Sequence, residues 1–444
     1  MGKVVKIKRG LDIPLKGEAE KIISALESSD YALRPTNFTG VFPKLLMKEG
    51  GQVKAGTAVF YDKYNEKVKF TSPVSGTIHA INRGRKRVIE EIVIKPDGHN
   101  TYEEFKIADP LELSVEEIKE QLFSSGLWPA IRRRPFEVIA RPEDKPKSIF
   151  ISGFDSAPLA PDLSFIAHGK GEEFQTGLNA LSKLTEGTVH LNINGAEKNS
   201  GVLTNSKNVQ INEFSGPHPA GTVGVQINKI DPVNRGEVVW HVGVQDVILI
   251  GRLFRTGKYD ATKMVALTGS EVKKPRYYKL ISGASIENMV TDNLINEHVR
   301  YISGNPLTGD KIYRKGYIGY YDHQVTVIPE GDHYEFMGWA NPGFNKFSFH
   351  HSFFSWLMPK KRFRIDTNLK GGPRAFVMTG KFEQVFPMDI YPLQLIKSIM
   401  IDDIEEMEKL GIYEVAPEDF ALCEFIDISK TEIQHVVHEG LESA

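Results

Sequence analysis

Between about Ala32 and Gly98 apolar and polar residues alternate in runs too short for helices, with Val53, Val59, Val68, Phe70, Ile78 and Ile81 marking one apolar side. Turn residues punctuate them at Glu49-Gly50-Gly51, Ala55-Gly56, Ser72-Pro73, Ser75-Gly76 and Arg83-Gly84. Glycine supplies the positive φ of tight turns, so this stretch predicts a compact all-β unit. The pattern changes at Ser114, which stands at capping-box spacing from Glu117, with Gly126 where a C-terminal cap belongs; one helix is predicted from Ser114 to Ser125. Lys147 to Gly153 reads as a buried strand, followed by a helix from about Glu173 to Leu184 and a strand at Thr188 to Ile193. Strand, helix, strand implies a parallel α/β layer, and the apolar run Val244 to Ile250 predicts a further strand that closes it.

From Lys263 the texture shifts again. Val265 to Ser270, a turn at Lys274-Pro275, a strand from Tyr277 to Ile281 and a helix opening at Ser285 predict the start of a β-grasp. Beyond residue 330, aromatic-rich strands are expected to give way to helices. These are placed after Asp389, from Asp403 to Leu410 with Gly411 as the stop, and behind a cap formed by Ser429 and Glu432. A chain of 444 residues exceeds what one core sustains. The expected division is a barrel-sandwich unit at 1–100, an α/β domain at 101–255, a β-grasp at 256–330 and a largely helical domain at 331–444.

Lys and Arg total 55 against 57 Asp and Glu, a net charge of -2, so the broad positive field that binds nucleic acid is missing. At 41% hydrophobic and 25% charged, the chain is expected to pack nearly end to end. Apolar stretches such as Val247 to Ile250 fall far short of the ~20 residues that span a bilayer. Met1 to Gly10 shows no apolar h-region, which places the chain in the cytoplasm as an expectation. Cys423 is the single cysteine. One thiolate closes no internal disulfide and holds no iron–sulfur cluster, so redox chemistry would use an organic ligand or a partner's cofactor.

Several motifs fall short of a chemistry. Asp62-Lys63 sits where lipoyl and biotinyl carriers present a modified lysine, but the interval to Pro73 is about two residues too long, and an exposed hairpin lysine is more often a solubilising charge. Ser215 to Thr222 nearly matches a phosphate-binding loop, yet Thr222 stands where the lysine belongs and the prolines remove donors. Gly304 to Gly309, followed by Asp310, fails likewise, and no G-x-G-x-x-G follows a strand. His435 and His438 lie one helical turn apart without a third ligand, and His350-His351 would point to opposite faces of a strand. The basic runs Arg83 to Arg87, Arg132 to Arg134 and Lys360 to Arg362, the last beside Phe347, Phe349, Phe353, Phe354 and Trp356, suit either a membrane surface or a solvated hairpin.

In their order along the chain these pieces resemble the NqrA family, a peripheral component of sodium-translocating NADH:quinone reductases. The resemblance runs from Lys6-Ile7-Lys8-Arg9-Gly10-Leu11-Asp12 to the last helix. It is carried most specifically by Ser125 to Trp128 with Arg134-Pro135-Phe136, Ser215 to Gly221, Asp231-Pro232-Val233, Trp240 to Val247, Phe254 to Gly257, Pro387-Met388-Asp389 and Glu418 to Cys423. The family shares its layout with the NADH-binding subunit of respiratory complex I and the C subunit of the ferredoxin-linked Rnf complex. Those relatives carry a glycine-rich flavin loop where this chain has Trp128 to Phe136, and Asp427 falls near a position where family members often keep a second cysteine.

The resemblance implies a barrel-sandwich hammerhead, a Rossmann-like α/β domain, a soluble-ligand-binding β-grasp domain and a helical C-terminal domain. No cofactor is expected in this chain: FMN, riboflavin and a 2Fe-2S cluster belong to partner subunits, and quinone is the substrate. The implied role is that of a peripheral subunit on the cytoplasmic face of the bacterial inner membrane, inactive alone, docked chiefly on the membrane-embedded B subunit. His218, Trp240, His241 and Arg255, all within the family-specific segments, are the candidate quinone contacts, each equally able to buttress a turn or core. The competing readings are an assembly module without a ligand and an Rnf-type electron carrier.

Overall fold

The computed structural model describes residues 2–197, 200–333, 335–338, 343–377 and 380–444. The predicted all-β stretch forms two antiparallel sheets. One runs in the order Tyr31–Leu33, Ile89–Pro96, Gly76–Arg83, Gln52–Val53, and the other Pro43–Leu45, Ala58–Asp62, Asn65–Thr71. Phe60 and Phe70 stack between neighbouring strands with centroids 4.3 Å apart. The helix Val115–Ser125 has the predicted reciprocal capping box between Ser114 and Glu117, and Gly126 closes it at φ 76.

The α/β layer is a seven-stranded sheet in the order Val4–Lys6, Gln210–Ser215, Thr188–Asn194, Ser148–Ser152, Val239–His241, Arg132–Arg134, Val138–Ile139. The first five strands are parallel, Arg132–Arg134 runs against them, and Val138–Ile139 pairs antiparallel with it. The chain builds outward from Ser148–Ser152 to Thr188–Asn194 and Gln210–Ser215, then returns to place Val239–His241 on the other side of the first strand. The order therefore reverses between Ser148–Ser152 and Val239–His241.

The strand expected at Val244 to Ile250 is instead the helix Val244–Thr256. Four consecutive aliphatic residues fit a buried strand and a buried helix equally well. What decides is length, with Gly257 in the left-handed conformation at φ 66 returning its N–H to Leu253. Nearly every side chain from Val244 to Phe254 is buried, the polar Gln245 and Asp246 among them. This helix packs backbone to backbone on Gly171–Lys183: a Cβ at Gly251 would stand 1.7 Å from the Glu173 carbonyl oxygen, and one at Gly177 would stand 2.0 Å from that of Val247.

A mixed six-stranded sheet follows, ordered Asp310–Ile312, Val299–Ser303, Gln324–Pro329, Thr262–Thr268, Arg276–Ile281, Glu20–Ala25. The first thirty residues thus lend one strand to the α/β sheet and another to this one. Beyond Pro329 the expected aromatic strands do not form among the described residues. A short 3-10 turn at Phe354–Leu357 and one isolated bridge between Leu15 and Phe363 stand in their place. Strand propensity without a partner edge makes no ladder, and single aromatics such as Phe347, 6.3 Å from Phe425, pin the segment to the helices. The helices Pro392–Met400 and Ile404–Lys409 occur as expected, with Asp403 accepting from the Glu406 N–H and Gly411 at φ 89. The last helix is Ile433–Ser443. Ser429 does not cap it but donates to the Ala375 carbonyl. Cys423 is fully buried there, and burial pushes its thiol pKa well up.

Candidate functional site

A cleft of about 190 Å³ opens at the carboxyl ends of Ser148–Ser152 and Val239–His241, where the sheet order reverses. Open α/β sheets hold their ligands at this location, because the connecting loops part to either side. Its walls come from the α/β layer (Arg132, Ser152, His218, His241), the six-stranded unit (Asn305, Thr308, Tyr321, His323) and the C-terminal segment (Glu418). The helices Val223–Ile230 and Val244–Thr256 both begin at it, through Thr222 and Gly243.

His218 lies in the proline-rich loop between Gln210–Ser215 and Val223–Ile230, its backbone N–H held by Asp12 at 2.9 Å. The Ser156 hydroxyl accepts the Gly221 N–H at 2.8 Å and lies 3.1 Å from His218 Nδ1. The hydroxyl proton is then available to Nδ1, which leaves Nε2 as the N–H of the ring. Burial pushes the His218 pKa down to about 4, so the ring is neutral.

His241 ends the strand Val239–His241 and is only 3% exposed. Its Nε2 is 3.0 Å from Glu137 Oε1, so its N–H is committed to that carboxylate. Burial drives its pKa down to about 4 in spite of Glu137, with Arg132 and Arg134 opposing protonation as well. Glu137 sits on a turn in which both Phe136 (φ 79) and Glu137 (φ 52) are left-handed, a conformation that costs on the order of 1–3 kcal/mol per residue. The turn brings the carboxylate to Arg132, at 2.6 Å, and to Arg134.

The other two candidates are elsewhere. Trp240 points to the opposite face of the strand from His241, as alternation requires. It is fully buried and meets Trp128 edge-on at 5.5 Å. Arg255 lies in the last turn of Val244–Thr256, partly exposed, and binds Glu172 at 2.5 Å.

Arg132, Tyr321, His323 and Asp246 also line the cleft and were not among the quinone contacts nominated from the sequence. Arg132 lies with its guanidinium 4.4 Å over the Tyr321 ring, and Tyr321 donates to the Pro129 carbonyl at 2.7 Å. His323 has an Nδ1 without a hydrogen-bond partner among the described residues, and burial, helped by Lys263, pushes its pKa down to about 4. Asp246 is paired with the buried Lys263 at 2.8 Å. The tripeptide Arg132-Arg133-Arg134 is neither a membrane patch nor a solvated hairpin. It is an internal strand, with Arg133 on Asp144 at 2.9 Å and Arg134 enclosed by Glu137, Glu418 and Asp419. The carboxylates that neutralise it were the missing signal, and two of the four, Glu418 and Asp419, are distant in sequence.

The remaining motifs resolve plainly. Lys63 is at the tip of the two-residue hairpin between Ala58–Asp62 and Asn65–Thr71, with Nζ 5.2 Å from the Tyr64 ring centre. His435 and His438 pair with Glu439 and Glu442 on an exposed helix face, and among the described residues no group of three metal-binding side chains occurs. His350 binds the Ile426 carbonyl and His351 stacks on Trp356, so they belong to no strand. Trp128 is fully buried and donates to the Ala140 carbonyl. No described helix is long and apolar enough to cross a membrane.

Three family models match in succession: the NqrA N-terminal barrel-sandwich hybrid domain over 5–97, the NqrA second alpha/beta domain over 113–259, and the NQRA C-terminal domain over 264–314. The NqrA chain of the Na(+)-translocating NADH-quinone reductase of Yersinia pestis bv. Antiqua (strain Angola) is 38% identical over 99% of this chain and 98% of its own length. The corresponding chains of Pasteurella multocida (strain Pm70) and Neisseria meningitidis serogroup A / serotype 4A are 37% and 38% identical, each over 99% of both chains. With the barrel-sandwich domain, the α/β layer and the whole length in agreement, the chain belongs to the NqrA family, one of the subunits of the Na(+)-translocating NADH-quinone reductase.

Proposed function

We propose that this subunit receives the head group of a quinone in the cleft between Ser148–Ser152 and Val239–His241, while partner subunits supply the electrons. The observation that carries the reading is the cluster of three neutral imidazoles, His218, His241 and His323, around a cavity with room for a planar ring. Quinone carbonyls require hydrogen-bond donors in an otherwise dry site. His218, through Nε2, is the direct donor in this reading, and His323 is the second. His241 is a positioning residue, because its N–H is spent on Glu137. Trp240 supports the strand from behind, and Arg255 takes no part.

This reading keeps a proposed four-unit division at about residues 100, 255 and 330, with the N-terminal arm lending strands to the second and third units. The strand order 3-2-1-4 supports the Rossmann-like label for the second unit, and the mixed sheet with its short helix Glu287–Val290 supports the β-grasp label for the third. The chain docks from the cytoplasmic side, chiefly on the membrane-embedded B subunit, with FMN, riboflavin and the 2Fe-2S cluster held by partners.

Titrating the full chain with a short-chain quinone tests this. Saturable binding that weakens by about five- to a hundredfold in His218→Ala and His323→Ala is expected, since a lost hydrogen bond in a buried site is worth on the order of 1–3 kcal/mol. Saturable binding unaffected by either change would remove the site from this cleft.

A further inference from the structure

The segment 335–364 is chemically unlike the rest of the molecule. Nine of its thirty residues are Phe or Trp, in a chain that is 10% aromatic overall. Its one acid is Glu335, against Lys346, Lys360, Lys361, Arg362 and Arg364, in a chain of net charge -2. Among the described residues three carboxylates form ion pairs with these cations: Glu335 with Lys346, Glu18 with Arg362 and Glu271 with Arg364. The patch therefore keeps a positive excess.

The aromatic side chains divide. Phe353 and Phe363 are buried, whereas Phe336 is 91% exposed, Phe344 62%, Trp356 52% and Leu357 57%. Exposing large apolar groups to water costs free energy, and contiguous patches of them mark interaction surfaces. Apart from Phe336 these are contiguous. Phe344 and Phe354 have ring centroids 5.4 Å apart, and Phe354 shares the turn Phe354–Leu357 with Trp356 and Leu357. Lys361 fastens the basic run to the aromatic turn, donating to the Phe344 carbonyl at 2.9 Å and to Asn345 at 2.7 Å. Lys360 and Arg362 flank it and are exposed.

From this juxtaposition we infer that the aromatic and basic segment 344–362 is a membrane-surface contact, which places Phe344, Phe354, Trp356 and Leu357 at the acyl boundary and Lys360, Lys361 and Arg362 on anionic phospholipid head groups. Charge complementarity selects this occupant. An apolar protein groove would not ask for a cationic rim, whereas an anionic leaflet attracts each nearby Lys or Arg while rings settle at the headgroup level. The inference rests on the peripheral placement proposed above and is independent of quinone.

The test is co-sedimentation of the full chain with vesicles of phosphatidylcholine alone, or with a quarter phosphatidylglycerol, at low and high salt. Binding should require the anionic lipid, fall with salt, and shift the tryptophan emission to shorter wavelength. Replacing Lys360, Lys361 and Arg362 together by Gln should weaken it on the order of a hundredfold. A Trp356→Ser/Leu357→Ser variant should lower binding and remove most of the spectral shift. Changing Arg85, Lys86 and Arg87 to Gln should leave binding unchanged, and all variants should melt like the parent. Equal binding to neutral vesicles, or undiminished binding by both patch variants, overturns the inference. So does wild-type vesicle binding by variants that no longer assemble with the other subunits, which would make the patch a protein interface. Loss of vesicle binding with quinone affinity intact would support it and leave the cleft untouched.

Discussion

Arg134 and Asp419, separated by 285 positions in the chain, form an ion pair of 2.9 Å with both side chains essentially sealed from solvent. The same guanidinium reaches Glu418 at 2.7 Å and Glu137 on its own turn. One buried cation therefore ties the α/β sheet to the C-terminal segment beside the cleft.

Removing that cation leaves Asp419 in the interior without a counter-charge, beside Glu137 and the part-exposed Glu418. Arg134→Ala is expected to destabilise the chain by about 3–5 kcal/mol, because an unpartnered buried charge costs more than the pair contributes. Arg134→Met combined with Asp419→Asn should recover part of the loss. Denaturant midpoints measure both, and a cost below about 1 kcal/mol for the single variant would show the pair to be dispensable.

The cleft makes stability depend on pH in two opposed ways. His218, His241 and His323 have folded pKa values near 4, below the unfolded value of about 6.5. Their contribution is present above pH ~6.5 and is lost as pH falls toward 4. Burial and Glu137 raise Glu418 to about 7, above its unfolded value of about 4.3, so its contribution is present below that and is lost as pH rises through 7. Three groups outweigh one, and stability should fall from pH 7 to pH 5. Glu418→Gln should steepen that fall, which urea midpoints at the two pH values would register; a shallower slope would contradict the assignment.

The glycine contact between Gly171–Lys183 and Val244–Thr256 admits no side chain. Gly251→Ala should cost about 3 kcal/mol, the upper end for overpacking, because the obstacle is the Glu173 carbonyl and not a movable side chain. Thermal unfolding checks this, and a melting temperature unchanged within error would mean the helices separate freely.

Two of the four residues nominated from sequence should be silent in ligand binding. Arg255→Ala removes an exposed pair with Glu172 and should change quinone affinity and stability by less than about 0.5 kcal/mol. Trp240→Ala should cost about 3–5 kcal/mol of stability through loss of a buried aromatic. Where it still folds, its affinity for quinone should match the parent. A tenfold loss in Arg255→Ala would move the ligand away from the cleft.

Local signals were legible in the sequence where one segment satisfies its own requirements. Ser114, Glu117 and Gly126 cap the helix Val115–Ser125 without outside help, and the turn glycines of the β unit act within a few residues. The order of motifs was enough to place the chain in its family. What the linear string withheld was burial and pairing. Val244–Thr256 is buried along nearly its whole length, the polar Gln245 and Asp246 included, so its aliphatic run taken alone read as a strand. Arg132 to Arg134 look like surface charge until Glu137, Asp144, Glu418 and Asp419 are brought to them. Tyr321 and His323, placed in the cleft by a different sheet, had no local pattern to betray them. The tertiary structure decided these points because a charge or an apolar run takes its meaning from what surrounds it in space.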